Sequence, residues 1–89
     1  MTSPTETVTV PPQVMFRLVG DEAVLLDLQS GMYFGLDPVG ARMWNLLAEG
    51  RTLADVASTV AEEYGVEVGR VQSDILELVA TLRGKGLLA

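Results

Sequence analysis

With 89 residues, 48% of them hydrophobic and 20% charged, the chain makes one small domain that needs nearly every apolar face for its core. Its net charge of −6 sets it against the phosphates of nucleic acid and the anionic surface of a membrane. It contains no cysteine and no histidine, which excludes disulfides, thiolate nucleophiles, imidazole bases and the commonest zinc ligands, and with them most catalytic sites.

Residues 1–12 are rich in Thr, Pro and Ser, with Pro11 and Pro12 adjacent, and predict a flexible N-terminal segment with little to bury. The folded domain is expected over residues 13–89. The start has neither a basic n-region nor an apolar h-region, and no run reaches the roughly 18 apolar residues that span a bilayer, so cytoplasmic residence without a membrane partner is expected. From Val14 the run VMFRLV reads as a first strand, ended by Gly20 and Asp21. A second strand, Glu22 to Leu28, puts Val24, Leu26 and Leu28 on one face and Ala23, Leu25 and Asp27 on the other.

Gln29, Ser30 and Gly31 have the length of a tight hairpin loop, and Met32 to Leu36 returns as strand three. Phe34 and Leu36 alternate there with Tyr33 and Gly35, and Gly35 marks either a close backbone approach or a bend feeding the next helix. Asp37 is placed to cap free amides, and Pro38 suits the first helical position because its missing N–H would have had no partner. Helix one is expected to run to about Glu49 with Val39, Met43, Trp44 and Leu47 toward the core.

Thr52 caps helix two, whose core stripe is Leu53, Val56, Ala57, Val60, Ala61 and Tyr64, and Gly65 ends it. Helix three spans roughly Val68 to Arg83 with a stripe of Val68, Val71, Ile75, Leu78 and Leu82. Leu76, Val79 and Ala80 step off that stripe, so the helix is wider in apolar character than one core contact requires. Gly84, Lys85 and Gly86 break it, and Leu87 with Leu88 folds back. The fold class predicted is α+β and winged helix-turn-helix-like: a three-stranded antiparallel sheet followed by three helices.

No constellation in this chain points to catalysis. The carboxylates show no EF-hand spacing, and Glu62 with Glu63 reads as a solvated face rather than an acid pair. Asp74 stands out because it lies beside the core stripe of helix three. The glycines form neither a dinucleotide fingerprint nor a P-loop, so no cofactor is implied. A carrier-protein reading fails because Ser73-Asp74-Ile75 has the wrong order and lies inside a helix. A winged helix reading DNA would place helix three in the major groove, yet that helix sets Arg70 and Arg83 against Asp74 and Glu77.

The ordered pieces LDLQSGMYFGLDP, GARMWNLLAEG and the acidic third helix ending in GLL resemble the PqqD-like family, over Val14 to Leu88. That resemblance implies a recognition element that captures the leader of a ribosomally made precursor peptide. In such modules the leader adds an antiparallel strand to strand three, and its apolar side chains settle against helix three. Carried over residue by residue, the peptide-binding candidates are Met32, Tyr33, Phe34, Gly35, Val71, Asp74, Ile75 and Leu78, with Phe34 and Ile75 the two expected to serve the core only.

A free-standing chain of this size resembles the discrete recognition proteins of lasso-peptide clusters, where a leader peptidase and then a cyclase complete the work. The acidic balance would suit a leader carrying basic residues. The alternatives are a peptide chaperone of the kind that serves a radical enzyme in pyrroloquinoline quinone synthesis, and a winged-helix DNA-binding regulator.

Overall fold

The period-two alternation of the first half and the three-and-four spacing of the second become three strands and three helices in the computed structural model, which describes residues 4–89. The strands are β1 (Val14–Val19), β2 (Glu22–Asp27) and β3 (Tyr33–Leu36), and the helices are α1 (Pro38–Ala48), α2 (Leu53–Tyr64) and α3 (Val68–Gly84). The sheet is antiparallel throughout with order β1-β2-β3, so the expected architecture of three strands followed by three helices is the one observed.

Register fixes which face of the sheet is covered. Leu25 lies opposite Phe16 on one side and Phe34 on the other, and Ala23 opposite Leu18 and Leu36. Ala23 and Leu25 are buried, so this is the inner face, and it packs on α1. Phe16 meets Trp44 edge to face with ring centroids 5.6 Å apart. Trp44 is fully buried, and its Nε1 finds no acceptor among the described residues. The outer face, formed by Met15, Arg17, Val19, Val24, Leu26, Tyr33 and Gly35, is uncovered.

Local chemistry sets the element ends. Asp27, at the end of β2, is buried and accepts hydrogen bonds through Oδ1 from the amides of Gln29 and Ser30, 2.9 and 3.3 Å away. This turn begins one residue earlier and ends one residue later than the alternation suggested, leaving Leu28 and Met32 outside the strands. Asp37 accepts from the Gly40 amide at 2.8 Å, with Pro38 opening α1 behind it. Thr52 caps α2 through the Asp55 amide, and Gly65 closes it in the left-handed conformation.

Four core assignments change. Val39 and Tyr64, expected inside, are 37% and 48% exposed, because each sits at a helix end beyond the neighbour it would pack on. Val68 is exposed for the same reason, and Val79, expected off the stripe, is fully buried. The stripe of α3 is therefore Val71, Ile75, Val79 and Leu82, and it packs chiefly on α2. Leu87 and Leu88 fold back into the core as expected.

The N-terminal stretch has more to bury than its composition suggested. Val8 joins the core at 8% exposure, and the carbonyls of Glu6 and Pro4 accept from the first two amides of α2, Leu53 and Ala54, at 3.0 and 2.9 Å. Those amides are among the groups a helix start leaves unpaired. The Glu6 carboxylate meets the Arg83 guanidinium, and the Ala89 amide donates to the Thr9 carbonyl at 3.0 Å. Residues 4–12 thus form a strap that ties the start of α2 to the end of α3, and residues 1–3 lie outside the described part.

Candidate functional site

The hydrogen-bond phase of the sheet identifies the free groups of β3. The Asp27 amide donates to the Met32 carbonyl at 2.8 Å, so Asp27 and Met32 are a hydrogen-bonded pair, and by alternation so are Leu25 with Phe34 and Ala23 with Leu36. Phe34 and Leu36 therefore direct their backbone groups to β2. Tyr33 and Gly35 direct theirs away, to the edge of the sheet that no described strand covers.

Helix α3 makes no extended backbone approach to β3, and the candidate cleft is the space bounded by α3 on one side and by Phe34 of β3 and the start of α1 on the other. At one end Lys85, the C-cap of α3, places its ammonium 5.4 Å from the centroid of the Phe34 ring. At the other end Val39 and Met43 of α1 face Arg70, Val71 and Asp74 of α3 across a cavity of about 300 Å³, with Tyr64 and Val66 closing its side. Phe34, at the Lys85 end, and Leu78 are both half-buried and pack on the core. The helix accordingly runs antiparallel to β3.

The eight residues expected to bind peptide do not form one surface. Asp74 is exposed and lines the cavity between α1 and α3, and Phe34 and Leu78 are half-buried against the core, each with part of its side chain open. Val71 and Ile75 are 3% and 1% exposed and belong to the core; Val71 lines the cavity between α1 and α3, whereas Ile75 borders the opposite flank of the helix, beside Pro4 and Leu53. Tyr33 and Gly35 lie on the outer face, Tyr33 at 75% exposure opposite Leu26, so what they present to the open edge is backbone. Met32 is half-exposed; its carbonyl takes the Asp27 amide and its own amide donates to Ser30 Oγ, leaving its side chain available.

Several cleft residues were not among the binding candidates, among them Val39, Tyr64, Val66 and Arg70. Val39 and Tyr64 carried the right spacing for core, and only their position at a helix terminus, past the last packed turn, marks them as different. Val66 and Arg70 carried no signal, since their place in the cleft depends on how α2 turns into α3. Phe34, expected to be core only, is partly open instead.

At Gly35 an added Cβ would meet nothing within 4 Å, so its lack of a side chain reflects open space rather than a crowded backbone. Among the described residues no group of three or more acidic, cysteine or histidine side chains is placed to hold a metal ion, and no helix is long and apolar enough to cross a membrane.

Comparison with known proteins places this geometry. A family described as coenzyme PQQ synthesis protein D (PqqD) matches residues 22–88. Among solved structures, TbiB1 in complex with the TbiA(beta) leader peptide shares 39% identity at a TM-score of 0.84, over 89% of this chain and 92% of that one. A lasso peptide synthetase B1 complexed with the leader peptide shares 31% identity at a TM-score of 0.87, over 94% of this chain and 99% of that one. No curated protein matches. The matched region starts at the first residue of β2 and ends in the tail packed behind α3, so it contains both walls of the cleft: the chain belongs to the PqqD family.

Proposed function

We propose that this protein binds the leader region of a ribosomally synthesised precursor peptide, of the lasso class, as a fourth antiparallel strand on β3 beside α3. The observation that carries this reading is the open β3 edge, with the backbone of Tyr33 and Gly35 directed outward next to an apolar cleft. Backbone pairing supplies affinity that tolerates sequence, and the cleft selects among the peptide's alternate side chains. The two solved relatives, each described as a complex with a leader peptide, support it.

In this reading Tyr33 and Gly35 contribute amides and carbonyls, while Met32, Phe34, Asp74 and Leu78 contribute side chains, with Val71 at the base of the cavity and Ile75 supporting it from the core. The role is non-catalytic. Holding the leader raises the effective concentration of the rest of the precursor near a leader peptidase and then a cyclase, which act in turn.

The test uses two substitutions at one position. Gly35→Pro removes the outward N–H while leaving the pairing of Phe34 and Leu36 with β2, and is expected to weaken leader binding about tenfold or more. Gly35→Ala keeps the N–H and is expected to bind as the unsubstituted protein does. Fluorescence anisotropy with labelled leader peptides from precursor genes beside this one reads both. Equal affinity of the two variants, with circular dichroism unchanged, would rule out strand addition at this edge.

A further inference from the structure

The chain holds six cations against twelve anions, so a basic side chain left without an acidic partner is informative. Arg42, Arg51 and Arg83 are in ion pairs. Arg17, Arg70 and Lys85 make none among the described residues. Arg17 lies on the outer face of the sheet, and Arg70 shares its end of the cleft with Asp74 one helical turn away. Lys85 is the exception: a cation at the opposite end of the cleft, over the Phe34 ring, with no carboxylate in contact.

An ammonium on an aromatic face at an exposed site is held only weakly, and the ring leaves its donors unsatisfied. A carboxylate arriving there would satisfy them, with part of its hydration already removed by the ring and the half-buried wall of the cleft. Direction then decides which part of the peptide arrives. Phe34 is near the start of β3, so a strand antiparallel to β3 enters the cleft by Val39 and Arg70 and leaves it by Phe34 and Lys85.

We infer that Lys85 selects an acidic side chain immediately C-terminal to the paired segment of the bound peptide, its ammonium moving from the Phe34 ring to that carboxylate. The inference rests on the leader-binding reading above and adds to it the chemistry of one recognised position. It also runs against the net charge of the domain, which by itself favours a basic ligand. The competing account is that Lys85 only complements the negative end of the α3 dipole, in which case it affects stability and not the choice of peptide.

The probe is the fluorescein-labelled TbiA(beta) leader peptide. A proline scan of it marks the paired segment, and a single Asp, Asn or Lys is then walked through the flanking positions. With the unsubstituted protein, Asp is expected to bind about two- to fivefold more tightly than Lys at one or two adjacent positions on the C-terminal flank. Lys85→Gln is expected to abolish that preference and Lys85→Glu to invert it, with unfolding transitions confirming that both variants are folded.

A preference that survives Lys85→Gln, one found only on the N-terminal flank, or none at all while the leader still binds, overturns the role of Lys85 and leaves the leader reading standing. Failure of every peptide to bind the folded protein withdraws the leader reading, and this inference with it.

Discussion

At the scale of single residues, Asp27 shows how an acid can sit in a core position. Its carboxylate is 7% exposed and caps the amides of Gln29 and Ser30, which holds the hairpin that presents β3. Asp27→Ala leaves two turn amides without that acceptor and is expected to lower stability by about 1–3 kcal/mol, read by urea unfolding with the fluorescence of the buried Trp44. Asp27→Asn keeps one acceptor oxygen and should lose less. In the sequence, Asp27 was visible only as a polar residue on the face of Ala23 and Leu25. Its purpose lies in the turn that follows, which alternation does not describe.

Arg42 and Glu63 form a bidentate ion pair between α1 and α2, with heavy-atom distances of 2.9 and 2.7 Å. The hydrogen bond from Arg42 holds the Glu63 carboxyl below the usual carboxylate range. A depressed folded value means that the pair's contribution is present above the ordinary Glu range and is lost as pH falls through the folded value. The difference in urea midpoint between the unsubstituted protein and Glu63→Gln is therefore expected to be small at pH 7 and to vanish on acidification. Both partners are solvent-exposed, which keeps the effect small.

Among the elements, α3 has two jobs, and its two flanks divide them. At 100° per residue, Asp74, Leu78 and the following Lys85 lie on one flank of the buried stripe, toward the cleft, while Gln72, Leu76 and Arg83 lie on the other, toward the strap. Leu78→Ala is expected to weaken leader binding about five- to tenfold, whereas Glu62→Ala, on α2 away from the cleft, should leave it unchanged; anisotropy titration compares them.

The apolar width of α3 was legible from the sequence, but its centre was not. Leu78 and Val79 carry the same hydrophobic signal, and only the angle at which α2 crosses α3 decides that Val79 is fully buried while Leu76 is 43% exposed. Val79→Ala is accordingly expected to cost about 1–3 kcal/mol and Leu76→Ala close to nothing, read by denaturant midpoints.

For the whole molecule, the least legible feature was the strap. Its residues have no period, and many of their contacts are made by backbone carbonyls with elements more than forty positions away, which no local pattern records. Deleting residues 1–8 removes Val8 from the core, the carbonyl partners of Leu53 and Ala54, and the Glu6 contact with Arg83. A loss of about 2–4 kcal/mol in urea unfolding is expected, with leader affinity retained by the fraction that remains folded. The sheet order and helix order, by contrast, were readable, because turns and caps at Gly20, Gly31, Asp37, Thr52 and Gly65 punctuate the chain where the elements change.

The strap also fixes the two ends of the described region in space. Pro4 sits by Gln72 and Leu76, and Ala89 is bonded to Thr9 and to Arg83, all on the flank of α3 turned from the cleft. Residues 4 and 89 thus share one side of α3, away from the open strand edge. A tether placed at either of these residues is accordingly expected to leave the open edge of β3 accessible.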